Sequence, residues 1–234
     1  MPIRVSTTMV ALGCIAFLAA DIPHSREKDK QSLAKLQSFV GSWRGVGQVR
    51  RGSNQGAWSE KCAWAWKFDK SGASLTFTAD KARFFQSGSV RAIADNEFAL
   101  TAVTPDNDTL LYQGACVDSK LVLTCAQPVD GLPARMSLRQ VADGDRMVVL
   151  YESLSVGGRY ARMAEVGYTR EGSSFGKGTA YVECIVTGGK GTIAVTHQGK
   201  TYYVCCSGCR DLFNEDPEAV IAAYEAERQE AAHQ

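Results

Sequence analysis

The chain has 234 residues, 45% of them hydrophobic and 22% charged, with a formal net charge of +1. That is enough for a substantial core and too long for a single minimal module, so a medium domain with a small companion is expected. The near-neutral balance lacks the basic excess that draws nucleic acid, and no nucleic-acid partner is expected.

Residues 1–20 differ from everything after them. Arg4 precedes an apolar run over 9–20 that ends in small residues, and a polar stretch starts at Asp21. This is the pattern of a secretory signal peptide, too short to span a bilayer comfortably, with cleavage expected after Ala20. The product is expected to be exported, periplasmic or extracellular, with no stable membrane insertion after cleavage. A lipid anchor at Cys14, within Ala11-Leu-Gly-Cys14, is the weaker alternative, because the apolar run continues past Cys14. Residues 21–32 are expected to be flexible.

Leu33, Leu36, Phe39 and Val40 have helical spacing, and the pattern then changes to that of strands. Segments 57–68, 74–78, 97–104, 110–115, 120–125, 146–155 and 158–170 are short and rich in aromatic and β-branched residues. They are separated by residues that tolerate tight or left-handed turns, as in Thr104-Pro-Asp-Asn107, Val117-Asp-Ser119 and Asp130-Gly131. Residues 33–171 are therefore expected to form an antiparallel barrel or sandwich of about eight to ten strands. Trp58, Trp64, Trp66 and Phe68 should share one face, either lining a cavity or filling it. Cys116 and Cys125 flank one turn, and a disulfide between them, with Cys62 free, is expected in an oxidising compartment. Glu60, Glu152 and Glu165 on strands are expected to face solvent.

Gly41-Ser-Trp43 opens the first strand after the short helix, and Arg170 ends the last one. This region resembles the lipocalin-type barrels. The resemblance implies a fold in which Trp43 closes one end and Arg170 stacks over it, an arrangement with a cation–π rationale.

The stretch 172–179, rich in glycine and serine, reads as a linker to a module over 180–234. This last part is acidic: 178–234 carries 4 basic and 8 acidic residues. Glutamates on a solvated helix face account for that most simply. Cys184 is followed by twenty residues, Cys205, three residues and Cys209, with Cys206 adjacent to Cys205. Two ligands close in sequence and one remote is how small folds converge soft donors on a metal. Segments 192–196 and 200–204 read as two strands joined by a turn at His197-Gln-Gly-Lys200. Ser207 reads as the cap of a short helix near Cys209, and Asp216-Pro217 as the start of another, with Val220, Ile221 and Tyr224 inside. Disulfide pairing of these cysteines is the competing reading.

Gly199-Lys-Thr-Tyr-Tyr203, Cys205, Cys209, Phe213 and Asp216-Pro-Glu218 resemble the TRASH and YHS families of heavy-metal-binding modules. The resemblance implies a treble-clef-like ββα fold with Cys184, Cys205 and Cys209 as ligands. Two departures stand out: Ile185-Val186 replaces the usual Gly-Met, and Cys206 is an additional thiol. Cys206 is either a fourth ligand or a bystander, with His197 or water completing the shell.

With three histidines in all, His24, His197 and His233, no histidine triad can be built on the barrel. No phosphate loop appears either, so no enzyme is expected. The leading expectation is an exported metal-binding protein that sequesters, traffics or senses an ion. Zn2+ is the default ion and Cu+ the alternative, because three thiolates suit a soft monovalent ion. The alternative function is a barrel that binds a small apolar ligand, with the cysteine module only a metal or disulfide staple. The ion's receiving protein and the oligomeric state are left open.

Overall fold

The computed structural model describes residues 26–70, 72–142, 144–171 and 182–232. The signal-type run, Cys14, the linker at 172–179, His24 and His233 lie outside the described residues. Helix α1 (Arg26–Leu33) leads into a 3-10 turn (Ala34–Phe39) and then into ten strands: β1 (Gly41–Gln48), β2 (Trp58–Asp69), β3 (Gly72–Asp80), β4 (Ser87–Ala94), β5 (Glu97–Val103), β6 (Thr109–Val117), β7 (Lys120–Cys125), β8 (Arg135–Val141), β9 (Arg146–Leu154) and β10 (Tyr160–Arg170). Each strand pairs with its sequence neighbour, and β10 returns to β1, so the ten close into an antiparallel barrel. Closure removes the exposed edges that an open sheet of this length would present. The expected turn residues do the bending: Asn107, Asp118 and Ser119 have φ of 68°, 49° and 60°, conformations that short polar side chains tolerate.

Alternation along β2 sets the interior. Glu60, Cys62, Trp64 and Trp66 are buried, with Trp58 and Phe68 half-buried on the same face, while Ser59, Lys61, Ala63 and Lys67 face out. The aromatic rings fill the barrel. Trp64 packs on Phe77 with centroids 4.9 Å apart, and Phe84 packs on Tyr151 at 4.7 Å. The cavity among Glu60, Cys62, Trp64, Leu123, Tyr151 and Tyr168 is about 30 Å³, room for a water or two.

The end of the barrel below the 3-10 turn is closed as the Gly41-Ser-Trp43 resemblance implies. Trp43 and Arg170 are paired across β1 and β10, and the guanidinium carbon lies 4.1 Å from the ring centroid. Trp43 Nε1 donates to the Phe39 carbonyl at 2.9 Å, which ties the plug to the strand it covers.

Three expectations are corrected. Part of the segment expected to be flexible is helical from Arg26. Its buried Asp29 accepts the Ala73 amide at 3.0 Å, a tertiary bond that the local pattern does not show. Cys116 and Cys125 are both free. Cys116 pairs with Leu121 and Cys125 with Tyr112, which separates the two by about 13 Å along the sheet, far beyond disulfide reach. Glu60 and Glu152 are buried: Glu152 is chelated by Arg135 at 2.7 and 2.9 Å, and Glu60 accepts from Tyr168 Oη and, at 2.5 Å, from Trp58 Nε1. No helix among the described residues is long and apolar enough to cross a membrane.

Candidate metal centre

The C-terminal module is built as its pattern of strands and caps suggests. Strands β11 (Ile193–His197) and β12 (Lys200–Val204) form a two-stranded sheet, turning through Gln198 and Gly199 at φ of 47° and 75°. Helix α2 (Ser207–Glu215) follows, then α3 (Pro217–Ala232). Asp216 caps α3 by accepting the Ala219 amide at 3.0 Å, and Pro217 occupies the first helical position, where no donor is missed. Helix α2 begins two residues earlier than expected, so Cys206 holds the N-cap position in place of Ser207.

Three elements deliver three sulfurs. Cys184 sits on a tight turn closed by the Thr187 and Gly188 amides on its carbonyl, at 3.3 and 2.9 Å, and Gly188 takes the positive φ of 70° that this turn requires. Cys205 follows the end of β12, and Cys209 lies in the first turn of α2. Their Sγ atoms all lie within 4.8 Å of one another, with Cys205 and Cys209 3.5 Å apart. An ion about 2.3 Å from each of three thiolates spaces them about 4 Å apart, so the donor set fits a soft metal with little movement. The cysteines are 0%, 3% and 0% exposed. The first turn of α2 also aims its backbone dipole at the group, which favours negative charge there.

The sulfurs share hydrogen bonds. Bonds from Cys205 and Cys209 pull the Cys184 thiol well below its ordinary range. The same bonds with Cys184 push the Cys205 and Cys209 thiols up, and bonds with Cys206 add to that rise. A metal ion held by Cys184, Cys205 and Cys209 would favour loss of all three thiol protons by neutralising the negative charge that results. The Thr187 hydroxyl lies 3.4 Å from Cys184 Sγ and 3.5 Å from Cys205 Sγ.

Cys206 and His197 lie outside this three-sulfur group, although the Cys206 thiol hydrogen-bonds with both Cys205 and Cys209, which pulls it below its ordinary range. Cys206 Sγ accepts the Trp66 backbone amide at 3.4 Å. His197 lies edge-on to Phe213 with centroids 6.5 Å apart. Sequence spacing thus identifies the three converging cysteines, whereas the direction of Cys206 depends on how the module sits on the barrel.

That seating uses an overhang. Pairing of β1 with β2 ends at Gly41 opposite Trp64, so the residues of β2 beyond Trp64 have β3 on one side only. The module takes the other side: besides the Trp66–Cys206 bond, Gly208 packs on the Trp66 carbonyl so closely that a Cβ there would overlap its oxygen. Lys190 reaches Asp145 in the β8–β9 turn at 2.9 Å. Gln37, in the 3-10 turn, accepts from Trp66 Nε1 at 2.7 Å and donates to Cys205 Sγ at 3.7 Å. No signal in the sequence pointed to Gln37.

No protein-family model matches the chain, and comparison with curated proteins gives no match. Among solved structures, the chain is similar to Rv2717c from M. tuberculosis, at 17% identity over 60% of this chain and 97% of that chain, with a TM-score of 0.42. It is also similar to the S-type phycobiliprotein lyase CPES from Guillardia theta, at 11% identity over 65% of this chain and all of that chain, with a TM-score of 0.31.

Proposed function

We propose that this chain is an exported metal-binding protein whose C-terminal module, of TRASH/YHS type, holds one soft ion on Cys184, Cys205 and Cys209 for sequestration, trafficking or sensing. The observation that carries the reading is the convergence of three buried sulfurs from a tight turn, a strand end and a helix start. Zn2+ is the default ion, with a water or the Thr187 hydroxyl in the fourth position. Cu+ in trigonal coordination is the alternative. The signal-type run over 1–20 supports export, and a bound ion would keep these thiols from oxidising in that compartment. The role is binding, with no catalytic residue assigned. The barrel serves as the platform: the 30 Å³ cavity among its aromatic side chains gives the small-ligand alternative no support.

The test is a titration of the reduced full chain with Zn2+ and with Cu+, each against a competing chelator, followed by alkylation. One ion per chain, with three thiols protected, supports the reading. No uptake of either ion, with all thiols modified at the same rate before and after titration, contradicts it.

A further inference from the structure

We infer that Gln37, a residue of the barrel's plug, belongs to the metal centre as a positioning residue whose side-chain N–H is aimed at Cys205 Sγ. The inference rests on the metal-binding reading above and deepens it.

The Gln37 amide is fixed at both ends. Its oxygen accepts from Trp66 Nε1 at 2.7 Å, so its nitrogen must face the other way, and there it meets Cys205 Sγ at 3.7 Å. Gly189 presses on the same amide: a Cβ at 189 would overlap Nε2. Trp66 is itself held by its surroundings, being buried in the core, stacked on Phe68 at 5.5 Å and bonded through its backbone amide to Cys206 Sγ. The barrel thus supplies an oriented donor to one of the three sulfurs, 168 residues away in the chain.

Partners of this kind orient metal ligands and tune their donor strength, and losing one typically lowers affinity 10- to 100-fold. An N–H bonded to a thiolate withdraws electron density from sulfur. Its loss leaves the sulfur more electron-rich, so light moves an electron from sulfur to a bound ion at lower energy. A residue that only held the module in place would not shift that energy.

The experiment uses the full chain loaded with Co2+ as an optical probe, comparing the parent with Gln37→Leu and Gln37→Glu. Gln37→Leu deletes the amide at similar size. Gln37→Glu keeps the acceptor for Trp66 Nε1 and replaces the N–H by a carboxylate, so it preserves the packing if Gln37→Leu fails to fold. We expect the sulfur-to-cobalt charge-transfer band to move to lower energy in the folded variants and cobalt affinity to fall about 10- to 100-fold, more for Gln37→Glu. A parent that binds cobalt, with variants of unchanged band and affinity, overturns this inference alone. A parent that takes up no cobalt overturns this inference, and one that also takes up neither Zn2+ nor Cu+ overturns the metal reading with it.

Discussion

The Arg170 guanidinium lies over the Trp43 ring, 4.1 Å from its centroid, while donating to the Val40 and Ser38 carbonyls at 2.6 and 2.7 Å and to the Gly144 carbonyl at 3.0 Å. One side chain therefore locks the plug, the first strand and the β8–β9 turn together. Arg170→Met keeps much of the volume and leaves three carbonyls without their donor. The loss should be about 3 kcal/mol, read as a lower urea midpoint at unchanged slope. Arg170→Lys should recover only part of it, because one ammonium cannot reproduce the planar fork.

Cys206 and Cys205 are neighbours with different work. Cys205→Ser should abolish stoichiometric metal, since it removes one of three converging sulfurs. Cys206→Ser should retain one ion per chain, because the sulfur it removes accepts the Trp66 amide. Metal content of the two purified variants, measured side by side, checks this.

Gly208 is required by the docking of the module. Gly208→Ala would place a methyl group against the Trp66 carbonyl, a backbone atom that cannot swing aside. The module must shift off the overhang, at a cost of about 2 kcal/mol. Slower-exchanging amides in α2 should become faster, which hydrogen exchange would show.

Alkaline pH should weaken the barrel through Cys62. Burial first, and the nearby Glu60 charge second, push this thiol from 9.0 up to about 12. Below pH 9 the thiol is neutral in both folded and unfolded chains and the stability is fully present. Between pH 9 and 12 only the unfolded chain ionises, so stability falls with rising pH by up to about 1.4 kcal/mol per unit. Cys62→Val should lessen the slope of that limb between pH 9 and 10, where the raised Cys116, Cys205 and Cys209 thiols supply the remainder and the buried Tyr151 and Tyr168, raised mainly by burial, do not yet contribute. Urea midpoints at half-unit pH steps read the difference.

Much of this was legible in the sequence, for local reasons. Strand alternation and turn residues fixed most hairpins, and the even spacing of Trp58, Trp64 and Trp66 placed them on the inner face. Cysteine spacing located the three sulfurs. What escaped depended on contacts between distant segments. The polar α1 is held by Asp29 on β3, Cys116 and Cys125 are parted by register, and Glu60 is buried beside Tyr168, the two flanking Gly45 on the intervening β1. Gln37 and the orientation of Cys206 follow from the module lying on the β2 overhang, a docking that no local pattern encodes.

The most direct measurement is elemental analysis of the purified protein by mass spectrometry, beside a variant carrying Cys184→Ser, Cys205→Ser and Cys209→Ser together. The account predicts one soft metal ion per chain in the parent and none in the variant. No metal in either, with the cysteines blocked to alkylation until reduced, would contradict it and make the cluster a disulfide staple.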